Sequence, residues 1–373
     1  MSKKIFVALC LVGLLGACGG GEGARYPAAS ILLQAKAERA REEGALPGVS
    51  IVAVAGNAID VASAGTRMAG STAPLLATDA LQAGSQTKAL TAMLLARLVE
   101  QGKLRWDSTL AELFPAWHDT MQPALRAVTV EQLLRHRAGL KRDPDDAAAD
   151  ELRLLLTGDP VADRAAVAHY MLRQPPEHVP GSTFLYSNTG YLVAGLIAET
   201  VGGAPFETLM QDEVFAPLGI TASFGFPEDA GSGTVHGHEW RAGGWQSAGY
   251  PAEDRYNMGR IGAAAGGLMI SMPEYGKLLR EHLRGLQGKS TYLRQETFAR
   301  LHGPAGEYGL GWDVTEVPGH GVVSAHAGSW GSYYVFAILV PQSNRAVAVA
   351  CNCYGPAAVE QLDELTRRLA LAP

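Results

Sequence analysis

The chain has 373 residues, of which 47% are hydrophobic and 18% are charged, and its formal net charge is −6. This composition excludes disorder over most of the length, and the chain is long enough for one large domain or two interleaved ones. The sequence contains no basic block, which argues against nucleic acid as a partner.

The start of the chain has the pattern of a bacterial export signal. Two lysines precede an apolar run (residues 5–15) that is too short for a stable membrane span. The run ends in Leu15-Gly16-Ala17-Cys18, which resembles a lipobox and is followed by three glycines. We therefore expect residues 1–17 to be an export signal and residues 18–27 a flexible tether, lipid-anchored at Cys18 in the cell envelope or periplasm. The alternative is an ordinary cleaved signal that happens to hold a cysteine, and it also exports the protein.

The next patterns predict an N-terminal helix, a hairpin and a helical middle. Helical periodicity runs from Ala28 to Glu43, and two strand patterns (residues 50–54 and 59–63) flank the turn signal Gly56-Asn57. From Ser85 to about Tyr256 helical patterns alternate with Gly- and Pro-rich loops. These helical patterns cover residues 107–114, 129–135, 149–156, 162–173, 190–201 and 206–215.

Strand patterns return near the end of the chain. They cover residues 309–314, 321–327, 333–340 and 345–352, and an amphipathic helix over 357–369 follows. We expect an α+β protein in which residues 28–80 and 257–373 form a sheet domain. Residues 81–256 are expected to form an inserted, mostly helical domain of the all-α type, with a ligand cleft between the two domains.

Two cysteines lie in the last strand pattern. Cys351 and Cys353 alternate along an extended chain, so their side chains point to the same face but are too far apart for easy bridging. We expect them to be packing residues.

The most apolar helix pattern begins directly after Ser85. From Ala89 to Val99 only Thr91 and Arg97 are polar, which predicts a helix buried on nearly every side. Ser85 then lies at the helix N-terminus, where unpaired N–H groups and the helix dipole favour a developing oxyanion. Lys88 follows one turn later, and burial would lower its pKa so that it can act as a base toward the serine. The alternative is an N-cap serine beside a snorkelling lysine.

Two later segments also carry candidate polar groups. The rigid loop from Pro180 to Gly190 holds Tyr186, which can share a proton with a lysine, and Asn188, which offers a donor and an acceptor to a substrate amide. The segment His326-Ala327-Gly328-Ser329 combines a histidine that can bind a carboxylate with a glycine against which a substrate can lie. Taken singly, residues of these types are more often structural.

Ser85-x-x-Lys88, Tyr186-Ser187-Asn188 and His326-Ala327-Gly328 resemble, in chain order, the three motifs of the serine β-lactamase and penicillin-binding-protein superfamily. The branch with a Tyr-x-Asn second motif is most similar: class C β-lactamases, D-Ala-D-Ala carboxypeptidases, D-aminopeptidases and related esterases. Supporting segments extend the resemblance from about Ala28 to Leu369. It implies a β-lactamase-like fold, in which an antiparallel sheet is flanked by terminal helices and the active site lies in the cleft beside the helical domain.

The resemblance also implies a role for each motif residue. Ser85 would be the acylated nucleophile and Lys88 its activating partner, while Tyr186 would relay protons during acylation and support the deacylating water. Asn188 would orient the substrate amide, and the N–H groups of Ser85 and Ser329 would form the oxyanion hole. The implied partner is a small-molecule or peptide substrate, and no metal or organic cofactor is implied.

The third motif departs from the family pattern, because typical β-lactamases have Lys-Thr-Gly there. His326 and Gly328 are still expected to bind substrate, but a neutral histidine would hold a β-lactam carboxylate less strongly than a lysine does. We expect an exported serine hydrolase that cleaves a short ester, a D-amino-acid peptide or a β-lactam through a Ser85 acyl-enzyme. The alternative is a binding or sensing module that grips wall peptides or β-lactams without turnover.

A metal hydrolase is a further hypothesis. It rests on His236-Gly237-His238-Glu239, because two histidines with a neighbouring carboxylate can bind zinc. A solvated loop is the favoured interpretation of this segment, since no third ligand cluster is evident in the sequence.

Overall fold

The computed structural model describes residues 31–231 and 233–372. The expected export signal (residues 1–17), the tether (residues 18–27) and the lipidation site Cys18 lie outside the described residues. Within the described ranges, no helix is long and apolar enough to cross a membrane.

The strands described by the structure form one six-stranded sheet and two three-stranded sheets. Their bounds are β1 (Gly48–Ala55), β2 (Ala58–Gly65), β3 (Leu81–Gln82), β4 (Ala222–Phe224), β5 (His238–Arg241), β6 (Gly244–Ser247), β7 (Leu268–Ile270), β8 (Asp313–Val317), β9 (Gly321–Ser329), β10 (Tyr334–Val340), β11 (Arg345–Cys351) and β12 (Cys353–Tyr354). The large sheet has the order β2-β1-β11-β10-β9-β8, and all its neighbouring strands are antiparallel. The two ends of the chain meet in it, because β1 pairs with β11 from Val49–Cys351 to Ala55–Arg345.

The hairpin predicted around Gly56-Asn57 is confirmed, and a second hairpin joins β10 and β11. Gly56 has φ 61° in the turn between β1 and β2, and Asn344 has φ 53° in the turn between β10 and β11. A left-handed backbone suits glycine and asparagine because neither residue meets the full steric cost that other side chains meet there.

Helices cover both faces of the large sheet. The helices are α1 (Ile31–Glu43), α2 (Thr87–Glu100), α3 (Leu110–Leu113), α4 (Val130–Leu134), α5 (Asp146–Arg153), α6 (Pro160–Leu172), α7 (Asn188–Gly202), α8 (Phe206–Met210), α9 (Ala216–Leu218), α10 (Ala252–Tyr256), α11 (Ala263–Gly266), α12 (Met272–Leu286), α13 (Gln295–His302) and α14 (Pro356–Ala370). The terminal helices α1 and α14 pack on one face of the sheet, and α12 packs on the other. Strand β1 serves both cores, because Ile51 faces the terminal helices and Val52 faces α12.

Helix α2 is the centre of the larger core. As its sequence predicts, it is buried almost all round, with Thr87 through Ala96 inaccessible to solvent. Helices α7 and α11 pack against it, and the turn before its N-terminus packs against β9. This packing places the start of α2 at the junction between the sheet and the helices.

Several predicted elements need correction. The range 81–256 contains helices α2 to α10 and also the strands β3, β4, β5 and β6, so the all-α expectation for it is wrong. Helices α12 and α13 lie in a stretch for which no element was predicted, although Tyr275, Leu279 and Leu283 recur at helical spacing on the buried face of α12. Strand β8 begins at Asp313, later than predicted, and just before it Gly311 has φ 91° where its backbone meets α2.

Cys351 and Cys353 form a disulfide, which corrects the expectation that they only pack. Their Cα atoms are 5.1 Å apart, less than the roughly 6.6 Å that two residues of extended strand would span. The chain bends at Asn352, whose Nδ2 donates to the carbonyl oxygens of Thr66 at 3.2 Å and Arg67 at 3.1 Å. These contacts hold the bend that brings the two sulfur atoms together.

Candidate active site

Ser85 lies in a tight 3-10 turn that leads into α2, and this turn is fixed against β9. Gly84 has φ 52°, and a Cβ at this position would come within 2.6 Å of the Ser329 carbonyl oxygen. Gln86 Nε2 donates to the His326 carbonyl oxygen at 2.6 Å. The turn therefore needs glycine at Gly84, and it leaves Ser85 half-buried between the sheet and the helices.

Lys88 is completely buried and has three polar neighbours. Its Nζ lies 3.0 Å from Ser85 Oγ, 2.8 Å from Asn188 Oδ1 and 2.8 Å from the Ala265 carbonyl oxygen. Burial lowers the pKa of Lys88 well below its usual value, because the ammonium form loses its hydration. A neutral amine has two N–H bonds and one lone pair, which match the two carbonyl-type acceptors and the Ser85 hydroxyl.

Tyr186 reaches the same serine from the loop before α7. Its OH donates to Ser85 Oγ at 2.8 Å, and its ring centroid lies 4.8 Å from Lys88 Nζ. Burial raises the pKa of Tyr186 to about 12, so the phenol retains its proton near neutral pH. Ser85 Oγ can thus accept a hydrogen bond from the phenol while its own proton faces the amine.

Asn188 is the first residue of α7, which begins two residues earlier than predicted. Ser187 caps the helix, because its Oγ accepts from the Gly190 N–H at 3.0 Å. The Asn188 side chain lies between two ionisable groups. Its Oδ1 faces Lys88, and its Nδ2 donates to Asp143 Oδ1 at 2.9 Å. These two contacts fix the orientation of the Asn188 side-chain amide.

His326 is buried behind the site, 3% exposed, and its Nε2 lies 2.9 Å from the Tyr308 OH. Burial lowers its pKa to about 3, because the charged imidazolium would lose its hydration. The imidazole is therefore neutral at physiological pH. The hypothesis that a charged His326 holds a substrate carboxylate is disfavoured, because this ring is desolvated and already has a hydroxyl partner.

Gly328 and Ser329 bring the backbone of β9 against the start of α2. A Cβ on Gly328 would collide with the carbonyl oxygen of Ala83, so a larger residue cannot lie there without moving the strand. The Trp330 N–H donates to the Tyr333 carbonyl at 3.3 Å, and hydrogen-bonded pairs alternate along an antiparallel ladder. By this alternation the Ser329 N–H faces away from β10, which is the orientation an oxyanion-hole donor needs.

His136 is a site residue that the sequence did not reveal. Its Nδ1 accepts from the Ser187 N–H at 3.0 Å, and its ring centroid lies 4.3 Å from that of Tyr186. Burial lowers its pKa to about 2, which keeps the imidazole in a form that can accept this bond. His136 has φ 56°. A histidine in a left-handed backbone conformation is a recognisable anomaly, but φ cannot be seen in a sequence.

Charged side chains near Asn188 were also missed. Arg142 lies over the Tyr186 ring at 5.1 Å and pairs with Asp143 at 3.3 Å. Both residues belong to the segment after His136, and they place one positive and one negative charge close to Lys88.

The zinc hypothesis is not supported by the segment around His238. The Nε2 atom of His238 accepts from the Ala69 N–H at 2.9 Å, and the Nδ1 atom of His238 lies 2.7 Å from the Asn352 carbonyl oxygen. Both ring nitrogens of His238 therefore have protein partners. Over residues 31–231 and 233–372, no group of three or more His, Cys, Asp or Glu side chains could hold a metal ion.

A cavity of about 290 Å³ opens beside Lys88's partners Asn188 and Ala265. Asp143 and Trp330 are among the residues that line it, and most other lining side chains are apolar. Concave, mostly apolar cavities with a few placed polar groups are typical of small-molecule sites.

The family of the chain follows from comparison with known proteins. The family model described as Beta-lactamase matches residues 33–372. Penicillin-binding protein 4 of Amycolatopsis lactamdurans is 26% identical over 352 residues, which cover 90% of this chain and 88% of that protein.

Solved structures agree with this result. The crystal structure of SurE is 28% identical and covers 91% of this chain and 74% of its own, with a TM-score of 0.73. The structure titled beta-lactamase/D-alanine carboxypeptidase from Pseudomonas syringae shares the fold, with a TM-score of 0.73 at 18% identity, and covers 91% of this chain and 98% of its own. The chain belongs to the β-lactamase family and has its α+β fold, and the protein is a serine hydrolase of the β-lactamase and penicillin-binding-protein type.

Proposed function

We propose that the protein hydrolyses an ester or amide bond through an acyl-enzyme on Ser85. The observation that carries this proposal is the position of the Ser85 Oγ between a buried amine at 3.0 Å and a phenol at 2.8 Å. A serine hydroxyl needs such a base because it is a weak nucleophile at neutral pH.

Acylation divides the proton transfers between two residues. The Ser85 Oγ forms a bond to the substrate carbonyl carbon while its proton passes to the lone pair of Lys88. The tetrahedral intermediate then breaks its bond to the leaving group, which takes a proton from Tyr186, and Lys88 returns the first proton to the phenolate. In deacylation a water molecule attacks the acyl carbon and gives a proton to the same pair, and the pair passes a proton to the Ser85 oxygen as its bond to the acyl carbon breaks.

Negative charge develops on the carbonyl oxygen of the substrate during the attack, and this oxygen needs hydrogen-bond donors beside it. We assign these to the N–H groups of Ser85 and Ser329, which the contact between Gly84 and Ser329 brings close together. Asn188 would orient the acyl part of the substrate through its amide, while its Oδ1 holds Lys88.

The third motif favours peptides and esters over β-lactams as substrates. A neutral, buried His326 supplies no charge for a β-lactam carboxylate, in contrast to the lysine of typical β-lactamases. Efficient penicillin hydrolysis is therefore not part of this proposal.

The test is the intact mass of the protein over time after mixing with 4-nitrophenyl acetate or, separately, a penicillin. We expect an adduct on wild type with the ester that disappears as product accumulates, and no adduct on Ser85→Ala. A stable adduct without turnover would support the binding or sensing module instead. Ester hydrolysis at the wild-type rate in Ser85→Ala would contradict the proposal.

Export and a lipid anchor at Cys18 are a separate proposal. It rests on the charged start, the apolar run and the Leu15-Gly16-Ala17-Cys18 sequence. Metabolic labelling with a fatty-acid analogue in a bacterial host should label the full chain but not its Cys18→Ala variant. Equal labelling of both proteins, or retention of both in the cytosol, would contradict it.

A further inference from the structure

One histidine holds the backbone on both sides of Tyr186. The His136 carbonyl oxygen accepts from the Leu185 N–H at 2.8 Å, and the His136 Nδ1 accepts from the Ser187 N–H at 3.0 Å. The N–H groups of the residues before and after Tyr186 therefore bond the same residue. Both contacts are made to the main chain of the loop, so together they set where the Tyr186 backbone lies and in which direction its side chain leaves the loop.

The His136 ring also packs against the Tyr186 phenol. The two ring centroids are 4.3 Å apart, and the Tyr308 ring lies on the imidazole as well, at 4.7 Å. His136 is only 1% exposed, so its ring cannot touch a substrate or exchange a proton with one. Any effect of His136 on the reaction must therefore pass through the residues that it contacts.

The protonation of the ring points to a bonding role in addition to packing. Burial lowers the pKa of His136 to about 2 and keeps the imidazole neutral. Because Nδ1 accepts from the Ser187 N–H, the single ring proton lies on Nε2, which is buried and has no hydrogen-bond partner among the described residues. A phenylalanine would fill a similar space without this unfavourable unpaired donor. Packing alone does not call for histidine here, whereas the acceptor at Nδ1 does.

The residues after His136 hold a different part of the same loop. The Arg137 carbonyl oxygen accepts from the Gly181 N–H at 2.7 Å, and the Gly139 carbonyl oxygen accepts from the Glu177 N–H at 2.8 Å. These bonds attach the first part of the loop, before the residues that flank the phenol. The loop as a whole is thus held at several points, but the part that carries Tyr186 is held by His136.

From these contacts we infer that His136 is a positioning residue, which holds the Tyr186 hydroxyl where it can give its proton to the leaving group. In this arrangement the Tyr186 OH lies 2.8 Å from the Ser85 Oγ. In the proposed acylation step, the bond between the carbonyl carbon and the leaving group breaks as the leaving group takes this proton. The inference rests on the proposed Ser85 acyl-enzyme and deepens it by naming the residue on which the acid step depends.

Leaving groups of different basicity separate the acid step from the rest of acylation. The 4-nitrophenolate ion is a weak base and departs without a proton, whereas 2,2,2-trifluoroethoxide is a strong base and needs one. The acetate esters of the two alcohols form the same acyl-enzyme, and kcat/KM for each ester reports its acylation. We define the leaving-group ratio as kcat/KM for the trifluoroethyl ester divided by kcat/KM for the nitrophenyl ester. This ratio measures proton donation to the leaving group.

Two substitutions separate the acceptor of His136 from its bulk. His136→Phe keeps an aromatic ring and removes the acceptor. We expect it to lower the leaving-group ratio roughly ten-fold or more, because a displacement of about 1 Å can cost about 100-fold in rate. His136→Asn removes the ring, but its amide oxygen is bonded to the same carbon as Nδ1, and asparagine tolerates the left-handed backbone. Its leaving-group ratio should stay within about three-fold of the wild-type value.

A second buried histidine supplies the matched control. His302 is 3% exposed, burial lowers its pKa to about 3, and its Nδ1 lies 2.7 Å from the Ser324 Oγ. His302→Phe therefore disturbs the core between α13 and β9 to a similar degree, but it should keep the wild-type leaving-group ratio.

Tyr186→Phe tests whether His136 acts through the phenol. This substitution should lower the leaving-group ratio by itself, because the proton donor is removed. Adding His136→Phe to it should not lower the ratio further, since residues that act through one group are not additive. Strain or general loosening of the fold would instead lower kcat/KM for both esters and leave the ratio unchanged.

The outcomes separate this inference from the proposed function. A wild-type ratio in a folded His136→Phe protein, with a lowered ratio in Tyr186→Phe, would overturn the inference and leave the hydrolase intact. A lowered ratio in His136→Asn would also overturn it, whether or not His136→Phe folds, because packing and not the acceptor would then hold the loop. An unchanged ratio in Tyr186→Phe would remove the acid step and the inference with it. If neither ester acylates Ser85, the proposed function itself fails.

Discussion

The Nζ atom of Lys88 lies 3.0 Å from the Oγ atom of Ser85, although the Lys88 side chain is inaccessible to solvent. A lysine in this position cannot keep the hydration of an ammonium ion, so its free amine is favoured. The pair therefore combines a nucleophile with a base that is ready at neutral pH.

Replacing Lys88 with methionine should remove the base while it keeps most of the side-chain volume. We expect acylation of Ser85 by 4-nitrophenyl acetate to slow about 1,000-fold or more, since general-base catalysis contributes roughly 10²–10⁴-fold. Stopped-flow absorbance of the released 4-nitrophenolate measures the rate. Lys103→Met, at an exposed loop position, is the matched control and should acylate normally. A rate within ten-fold of wild type in Lys88→Met would remove the lysine from the mechanism.

The pH dependence of kcat/KM should shift in opposite directions when two neighbouring charges are removed one at a time. The negative charge of Asp143 raises the pKa of Lys88, and the positive charge of Arg142 lowers it. Activity needs the neutral amine, so kcat/KM rises with pH through the pKa of Lys88. Asp143→Asn should move this acidic limb to lower pH, and Arg142→Gln should move it to higher pH. Both side chains are more than half exposed, so solvent screening keeps the shifts small.

A pH–rate profile of ester hydrolysis for the two variants and the wild type measures this prediction. Shifts in the same direction for both variants would show that a group other than Lys88 controls the limb. The Asp143→Asn amide can still accept a hydrogen bond from Asn188, so the geometry of the site is kept in this variant.

A methyl group on Gly328 should separate β9 from the turn that holds Ser85. Its Cβ would collide with the Ala83 carbonyl oxygen, whereas a Cβ on Gly244 would meet no atom within 4 Å. We expect Gly328→Ala to lower kcat/KM roughly 100-fold, because a displacement of about 1 Å can cost that much. Gly244→Ala is the control and should have wild-type kinetics. Wild-type activity in Gly328→Ala would mean that the strand does not contribute to the oxyanion hole.

Stability should depend on a buried ion pair far more than on a surface one. Arg164 is inaccessible and bonds Glu199 at 2.6 Å and Glu207 at 3.0 Å. Arg164→Met leaves the buried Glu199 carboxylate without a cation, and the free energy of unfolding should fall by about 3–5 kcal/mol. In the exposed pair Arg39–Glu43, Arg39→Met should cost less than about 1 kcal/mol. Urea unfolding followed by circular dichroism compares them, and equal costs would contradict the prediction.

The sequence by itself determined the parts of this protein that local patterns encode. The apolar run after Ser85 predicted a buried helix, Gly56-Asn57 predicted a hairpin, and the order of three short motifs indicated the family. Such patterns depend on the spacing of residues along one element, which a sequence displays directly.

Only the tertiary structure decided which distant side chains meet. Asn188 contacts Lys88, which is 100 positions away, and His136 contacts the Ser187 backbone, which is 51 positions away. It also showed that His326 is buried and neutral, and that a bend brings Cys351 and Cys353 into a disulfide. These facts depend on how elements pack and how much water they exclude, and the position of a polar side chain along the chain does not show which distant residues surround it in the fold.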